Sequence, residues 1–358
     1  MSRYENIIII SLLVFPLIAF LITLPYIIHN YHKYGSISFL RTIIIYSFIL
    51  YLLCAYFMVI LPLPTFTEAS LLTTPKTQLI PFNFINDFIT KSGFVWSDIN
   101  TYIPAMKTNS FYQPLFNIFL TIPFGIYLHY YFKCGCIKSI IYSFLLSLFF
   151  ELTQLSGLYF IYPISYRLFD VDDLFFNTLG GLFGYFIGNV FIKILPSRDK
   201  IDEVAYEKSK TVSGIRRLVS LLIDYVIITF ITILLYISNL KSSYYIIVLC
   251  LLYYLIIPFL FNQSTIGEKI VNIKLESSNN NKYHVFFSLF LKSIFLAIIP
   301  YFIIYFTIID YQEEVIIFIM LYFIYGIILF FKIIFSGSFL YEKIFNTHLV
   351  STLKINKE

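Results

Sequence analysis

The sequence predicts an all-α integral membrane protein with about nine transmembrane helices in two bundles, five in the first half and four in the second. Hydrophobic residues make up 59% of the 358 residues, charged residues make up only 13%, and the mean hydropathy is +0.82. Soluble domains carry about 25% charged residues, so this composition excludes an ordinary soluble protein. Apolar runs of about twenty residues, long enough to cross a hydrocarbon core, recur along the chain. The chain is therefore predicted to be a multi-pass membrane protein.

The predicted helices are apolar runs separated mostly by short connections. They lie near residues 7–29, 41–62, 112–132, 138–160, 174–194, 217–239, 243–261, 284–308 and 315–335. The seventh is the shortest, and Lys292 interrupts the eighth. The first run contains Pro16 and lacks a small-residue cleavage site, which predicts a retained span and not a removed signal peptide.

The distribution of basic residues predicts the orientation. The connector 196–217 is rich in Lys and Arg, and basic loops face the cytoplasm. The connector near 309–314 is acidic with no Lys or Arg, and is predicted to lie outside. Counting spans from these two connectors places the N-terminus outside and the C-terminus in the cytoplasm. The basic connector also predicts a domain boundary, with membrane domains at 1–195 and 212–358 and a linker at 196–211.

A long external connector, residues 63–111, joins the second and third predicted spans. It is rich in proline and contains the only tryptophan of the chain, Trp96. A short stretch around Phe82 to Ile89 has an amphipathic pattern. Two arrangements fit this pattern: the stretch lies on the outer membrane surface, or it docks onto the helix bundle.

The polar residues of the first half gather at one predicted depth. Between Lys138 and Lys193 the chain has only five charged residues, and ionisable groups at membrane depth mark functional sites by default. Glu151 lies roughly 20 Å from the inner end of the fourth span, at 1.5 Å per residue, which places it in the outer half. We define the predicted outer polar cluster as Asn117, Glu151, Gln154, Arg167, Asp170, Asp172, Asp173 and Asn177.

Structural roles compete with functional ones for these residues. Asp170 or Asp172 can cap the fifth helix, since a carboxylate there meets unpaired backbone amides. Arg167 can pair with either of them or with Glu151, and a protonated Glu151 is a further alternative. Four glycines of the fifth span follow a spacing that lets helices approach closely, or else they contact a ligand. They are Gly180, Gly181, Gly184 and Gly188.

The first half resembles the VanZ family over roughly residues 10–195. The matching residues are Asn117, Pro123-Phe-Gly125, Phe150-Glu151-Leu-Thr-Gln154, Arg167, Asp170-Val-Asp172-Asp173 and Asn177-Thr-Leu-Gly180. Members of that family are five-span membrane proteins, and the founding member is linked to low-level resistance to the glycopeptide teicoplanin. The resemblance implies a location in the bacterial cell membrane and a role in the cell envelope, without supplying a reaction.

The second half carries a separate set of marked residues, predicted to lie on the cytoplasmic side. Arg217 and Asp224 are two helical turns apart and share a face of the sixth span, too far apart to pair within the helix. Lys292 is the first candidate for a partner from another span, followed by Glu342-Lys343. The predicted inner cluster comprises Arg217, Asp224, Gly267, Lys269, Lys292 and Glu342.

Alternating apolar residues over Val271 to Glu276 predict a short strand, which would pair with Thr347–Lys354 as a small cytoplasmic β-hairpin.

Residues 212–352 also resemble the RDD family. The matching residues are Arg217, Asp224, Thr265-Ile-Gly267-Glu-Lys269 and Tyr341-Glu342-Lys343 with Asn346-Thr347. Glu342 replaces the terminal aspartate of that family, and Lys292 stands where it often has arginine. Members have been proposed as transporters, including sodium/proton exchangers.

Three functions follow from these patterns. The first is a non-enzymatic envelope protein whose outward-facing pocket binds membrane lipid, a lipid-linked cell-wall precursor, or a glycopeptide or lipopeptide. The second is an ion or proton transporter that uses Asp224 and Glu151. The third is an intramembrane hydrolase or transferase with Glu151 as general base, although no histidine lies near it in sequence. The balance leans away from an enzyme.

Cofactors, metals and nucleic acid are not expected. The four cysteines have neither the spacing of a metal site nor that of a disulfide framework. The sequence leaves two questions open: the oligomeric state, and whether the two halves are functionally coupled.

Overall fold

A computed structural model describes residues 3–71, 76–238, 243–299, 320, 323–328, 330–333 and 338–353. Residue contacts divide the chain into two units. The first comprises Met1–Phe20 with Phe39–Ile201, and the second comprises Leu21–Ser38 with Asp202–Glu358. The second unit thus includes part of the first helix, a segment that the sequence-predicted domain boundary assigns to the first half.

Helices account for most of the first unit. Its elements are α1 (Arg3–Tyr34, shared with the second unit), α2 (Phe39–Ile60), α3 (Phe66–Ser70), β1 (Thr77–Gln78), α4 (Asn83–Lys91), α5 (Tyr102–Met106), α6 (Asn109–Tyr130), α7 (Cys136–Leu155), α8 (Gly157–Phe160), β2 (Phe169–Asp170) and α9 (Val171–Ile194). The predicted linker contains a further helix, α10 (Arg198–Ser209).

The second unit combines helices with a two-stranded sheet. Its described elements include α11 (Gly214–Ile237), α12 (Ser243–Leu251), a π-helical turn (Leu252–Ile256), α13 (Ile257–Leu260), α14 (Ile266–Ile270), β3 (Ile273–Ser277), α15 (Lys282–Ser293), a second π-helical turn (Ile294–Ile298), α16 (Leu340–Ile344) and β4 (Thr347–Ser351). Strands β3 and β4 are antiparallel. The predicted pairing is confirmed, but a hairpin is wrong, because α15 and α16 lie between the two strands in sequence.

Six helices within the described residues are long and apolar enough to cross a membrane. They are Ile9–Tyr34, Phe39–Ile60, Asn109–Tyr130, Cys136–Leu155, Val171–Ile194 and Gly214–Ile237, and they coincide with the first six predicted spans. The seventh predicted span falls on a shorter apolar helix, Tyr244–Leu260. The eighth and ninth extend into residues 300–319 and neighbouring positions that lie outside the described residues, as does the acidic connector near 309–314. A count of nine spans therefore stays a prediction.

Close backbone approach holds α6, α7 and α9 together. A Cβ on Gly184 would overlap the Ile122 carbonyl of α6, and one on Gly125 would overlap the Gly181 carbonyl of α9. On the other side of α9, a Cβ on Gly181 would overlap the Ser143 hydroxyl of α7. Small residues permit such approach between helices in lipid, where van der Waals packing drives association. This packing brings polar side chains of the three helices to one level of the first unit.

Candidate functional site

The first unit contains an open cavity of about 990 Å³ bordered by α2, α6, α7, α9 and the loop before β2. We call it the polar cavity. Its lining residues are Met58, Val59, Asn109, Tyr112, Gln113, Leu115, Phe116, Asn117, Phe119, Leu120, Phe150, Glu151, Gln154, Arg167, Asp173 and Asn177. Cavities that bind small molecules are typically about 300–1,000 Å³, mostly apolar with a few placed polar groups. The polar cavity fits that description.

Helix α7 contributes Glu151 and Gln154, which lie one turn apart on the same face. Glu151 is 2% exposed, and its Oε2 accepts a hydrogen bond of 2.9 Å from the backbone N–H of Asp170. The Gln154 amide donates to the Val59 carbonyl at 3.1 Å, where α2 ends. One end of α7 is thereby tied both to the start of α9 and to α2.

Asp170 and Asp172, at the start of α9, have different roles. Asp170 is the N-cap of α9, and its side chain accepts from the Asp172 N–H at 2.9 Å. Burial raises the pKa of the Asp170 carboxyl, and that hydrogen bond opposes the shift. Asp172 instead accepts from the backbone N–H groups of Phe82 and Phe84, at 2.6 and 2.9 Å. Asp170 therefore caps the helix as predicted, whereas Asp172 anchors the long connector.

Asp173 and Asn177 project from the first turns of α9 toward α6 and α7. Asn117 of α6 donates to Asp173 Oδ1 at 2.6 Å, and Asn177 donates to the Ser147 hydroxyl at 2.9 Å. The Thr121 hydroxyl donates to the backbone carbonyl of Asn177 at 2.7 Å. These bonds fix the orientation of the amides that line the polar cavity.

Arg167 approaches the polar cavity from the loop between α8 and β2. Its Nη2 donates to the Leu61 carbonyl at 2.7 Å, and its charge acts on both Glu151 and Asp173. Two tyrosines hold the loop: Tyr162 donates to the Pro64 carbonyl and Tyr166 to that of Ile60, at 2.8 and 3.3 Å. Burial raises the pKa of Tyr166 to about 12, so its hydroxyl stays a donor at neutral pH.

The long connector docks onto the helices through this region. Strand β1 pairs in parallel with β2, so that Gln78 lies opposite Asp170. The Phe84 ring packs edge-on against Phe176 of α9, with ring centroids 4.8 Å apart. Docking, one of the two predicted arrangements, is therefore present. Several apolar side chains of the connector are also exposed, including Trp96 at 76% and Ile99 at 76%, so contact with the membrane surface stays a prediction.

The structure brings six of the eight predicted cluster residues to the polar cavity, and it places Asp170 and Asp172 beside it. Sequence reasoning missed Asn109 and Gln113. The signal was present, because Asn109, Gln113 and Asn117 recur every four residues on α6 and so share one face. Ser147 was also missed, since a serine in an apolar run carries no charge to mark it.

In the second unit, two buried ion pairs connect residues of the predicted inner cluster to other helices. Arg217 donates to both carboxylate oxygens of Glu342, at 3.0 and 2.9 Å, and both side chains are buried. Lys292 pairs with Glu268 at 2.6 Å. Lys292 was predicted as the first candidate partner for Arg217 and Asp224, but the Glu268 carboxylate is closer because the capping box of α14 holds it in place.

Asp224 obtains its hydrogen bonds from uncharged groups. It accepts from the Tyr253 hydroxyl, the Thr265 hydroxyl and the Gly267 N–H, at 2.5, 2.7 and 2.8 Å. A Cβ on Gly267 would overlap the Ser220 carbonyl, so the close approach of α14 to α11 requires glycine. Lys269, which was predicted to belong to the cluster, lies over the Phe261 ring at 4.1 Å instead.

Arg216, like Glu268, is a residue of this region that the predicted inner cluster did not include. Its side chain is fully buried, and it donates to the carbonyls of Ser209, Val271 and Asn272 at 2.8–3.0 Å. It therefore holds α11 against the start of β3. Arg216 and Arg217 are adjacent basic residues, and the sequence pattern alone does not show that both are buried.

Comparison with known proteins gives one match. Residues 48–192 match the family model described as VanZ/LLP1, which covers less than half of the chain. No curated protein matches the chain, and no solved structure matches it. The match and the apolar helices fit a membrane protein of VanZ type. The matched range, residues 48–192, includes all eight residues of the predicted outer polar cluster. The resemblance of residues 212–352 to the RDD family stays a prediction.

Proposed function

We propose that the first unit binds the headgroup of a membrane amphiphile in the polar cavity, without catalysing a reaction on it. The amphiphile is a lipid, a lipid-linked cell-wall precursor, or a drug of similar chemistry such as a glycopeptide or lipopeptide. The observation that carries the proposal is the composition of the cavity, in which buried charged and amide groups lie beside large apolar side chains that are exposed.

The polar part of the cavity would hold the headgroup. Glu151 and Asn177 are 2% and 3% exposed, so a ligand that reaches them is removed from bulk water. Polar contacts in such surroundings are stronger than at a surface and strongly favour a ligand with matching groups. Arg167 adds a positive charge at the same level.

The apolar part would hold the hydrocarbon portion. Tyr112, Phe116 and Phe119 border the cavity, and they are 53%, 36% and 65% exposed. All three lie on α6, a helix long and apolar enough to cross a membrane. In a bilayer their exposed surfaces face acyl chains, so a ligand can enter from the lipid with its chain still in the hydrocarbon. The orientation predicted from basic residues would place this entrance in the outer leaflet.

The proposal is tested by identifying what the protein retains. The full chain is purified in mild detergent and analysed by native mass spectrometry for bound lipid and precursor. We expect a stoichiometric amphiphile on the wild type, and we expect Leu120→Trp to exclude it, since Leu120 lines the cavity and the larger ring fills it. Leu145→Trp, at an exposed position on α7 outside the cavity, is the matched control.

Absence of any retained amphiphile from the wild type, in both detergent and lipid nanodiscs, would contradict the proposal. Equal retention by wild type and Leu120→Trp would place the ligand elsewhere. A cellular test follows: Arg167→Ala at unchanged protein level should alter tolerance to glycopeptides or lipopeptides if these drugs or their targets are the ligand. Unaltered tolerance would remove both from the set of ligands.

A further inference from the structure

We infer that the polar cavity recognises a primary ammonium group, carried by the headgroup of the amphiphile, through Glu151, Asp173 and Asn177. This inference rests on the proposed function and names the chemistry of its ligand. It follows from which hydrogen-bonding atoms the protein has already paired and which it leaves open.

Three amide donors beside the buried carboxylate of Glu151 are occupied by protein acceptors. Asn117 donates to the Asp173 carboxylate, Asn177 donates to the Ser147 hydroxyl, and Gln154 donates to the Val59 carbonyl. A carboxylate and a backbone carbonyl only accept, and the Ser147 hydrogen is directed to the Asp173 carbonyl. Each amide must therefore present its nitrogen to the protein, which turns its oxygen the other way.

Acceptor atoms of Glu151, Asp173 and Asn177 remain open. Within the described part of the chain, Asn177 Oδ1 accepts no hydrogen bond although Asn177 is 3% exposed. Only one oxygen of Glu151, Oε2, and one of Asp173, Oδ1, accept hydrogen bonds from described residues. For the enclosed Asn177 oxygen, a missing donor costs about 1–3 kcal/mol. All three residues line one cavity, so a ligand that donates N–H groups to the two carboxylates and reaches the Asn177 oxygen satisfies the three acceptors together.

The charges of the cavity favour the same ligand. Glu151 and Asp173 are close enough to repel each other, and the opposing charge comes from Arg167. Two carboxylates against one guanidinium leave a negative excess when both are ionised. A cation between the carboxylates removes this repulsion. A primary ammonium offers one positive charge and three N–H donors, which matches three open acceptors.

Related cations are distinguished by this pattern. A quaternary ammonium carries the charge but no N–H donor, so it leaves the acceptors unpaired. A sodium ion is coordinated by oxygens and would compete for the same carboxylates. A headgroup that has only phosphate and hydroxyl groups lacks the cation altogether. These differences allow a test in which the phosphate and the acyl chains stay constant.

The test measures lipid preference on the full chain by native mass spectrometry. Phosphatidylethanolamine, its N-methyl and N,N-dimethyl derivatives, phosphatidylcholine and phosphatidylglycerol are compared at matched acyl chains. We expect retention to fall with each methyl group and the primary amine to be favoured over phosphatidylcholine and phosphatidylglycerol by about tenfold, the effect of roughly one net charge-assisted hydrogen bond. This series uses only the wild type, so it does not depend on variants that fold.

Variants then assign the preference to the cavity. Asp173→Asn and Glu151→Gln should each reduce the preference for the primary amine to near unity while the protein still retains lipid. Glu207→Gln, which neutralises an exposed carboxylate on α10, is the matched control and should keep the preference. Excess ethanolamine distinguishes the source of the amine: we expect no displacement of bound phosphatidylethanolamine, because the acyl chains contribute to binding.

Several results would overturn the inference. Equal retention of all the lipids would leave an amphiphile site without amine recognition, so the proposed function would survive alone. Failure to retain any lipid would instead remove the proposed function. Displacement by ethanolamine at millimolar concentration would make the ligand a soluble amine. Displacement by sodium chloride but not by choline chloride at equal ionic strength would make it a metal ion.

Discussion

The two units both bury charged residues, but they differ in how far the protein satisfies the carboxylate oxygens of those residues. In the second unit Arg217 is paired with Glu342, Lys292 with Glu268, and Asp224 accepts three hydrogen bonds from the protein. In the first unit Glu151, Asp173 and Asn177 line a cavity and keep acceptors that described residues do not fill.

The difference teaches that buried charge alone does not identify a binding site. Both clusters look equally anomalous in the sequence, because each places ionisable groups in apolar helices. They differ in their carboxylates: those of the second cluster are fully hydrogen-bonded and connect α11, α14, α15 and α16, whereas Glu151 and Asp173 of the first each keep an oxygen that no described residue fills. This difference supports the ligand site proposed for the first cluster and a largely structural role for the second.

The strongest test of a structural role is Glu342→Gln. This substitution leaves the Arg217 guanidinium buried without its counter-charge, and breaking a buried pair costs about 3–5 kcal/mol. We expect a large drop in the unfolding temperature in detergent, measured by intrinsic fluorescence. Glu207→Gln, in the exposed pair with Lys210, should cost only about 0–1 kcal/mol. Similar effects for the two variants would mean that the buried pair is not structural.

A second test concerns the packing that assembles the polar cavity. Gly184→Ala would push α9 away from α6, because the new Cβ overlaps the Ile122 carbonyl. We expect a loss of about 1–3 kcal/mol in stability together with loss of amphiphile binding. Gly135→Ala is the control, since no atom lies within 4 Å of its Cβ position. Unchanged stability in Gly184→Ala would contradict the close approach of the two helices.

Asp224→Asn addresses the transport prediction directly. The amide keeps one acceptor oxygen but loses the charge, and charge-assisted hydrogen bonds are about twice as strong as neutral ones. We expect stability to fall by about 1–2 kcal/mol, with proton and sodium flux in proteoliposomes equal to that of the wild type. A wild-type flux that Asp224→Asn abolishes would instead assign transport to the second unit.

The smallest effect is expected for Asp172→Asn, which changes only the anchoring of the connector. The carboxylate accepts from the Phe82 and Phe84 amides, and the neutral amide retains one acceptor. Global stability should stay nearly constant, while hydrogen exchange of the segment around these two residues becomes faster. Asp87→Asn, in an exposed pair on α4, is the control. Unaltered exchange would mean that β1 and the Phe84 ring hold the connector without Asp172.

The sequence was sufficient for elements that depend on local pattern. Hydropathy identified the six helices of membrane-spanning length. The spacing of Glu151, Gln154 and Asn177 predicted that they lie at one depth, and all three line the polar cavity. The alternation of Val271, Ile273 and Leu275 predicted β3.

Features that depend on pairing between distant residues could not be predicted. Glu268 displaces Asp224 as the partner of Lys292 because the Thr265 capping box orients its carboxylate, a detail of three-dimensional position. The open acceptors of the cavity likewise depend on amide orientation. That orientation is set by contacts such as Gln154 with Val59, which lie on different helices.

Under the proposed function, the three amides of α6 affect how fast a ligand reaches Glu151 and Asp173. Asn109 and Gln113 are exposed and Asn117 is half-buried, so the series runs inward from the surface. At 1.5 Å per residue, successive amides lie about 6 Å apart along the helix, so a headgroup can exchange one partner for the next with little loss of hydrogen bonding. Such a path lowers the barrier to entry and exit without changing the bound state. Replacing Gln113 by leucine should therefore slow association and dissociation together and leave the affinity nearly constant.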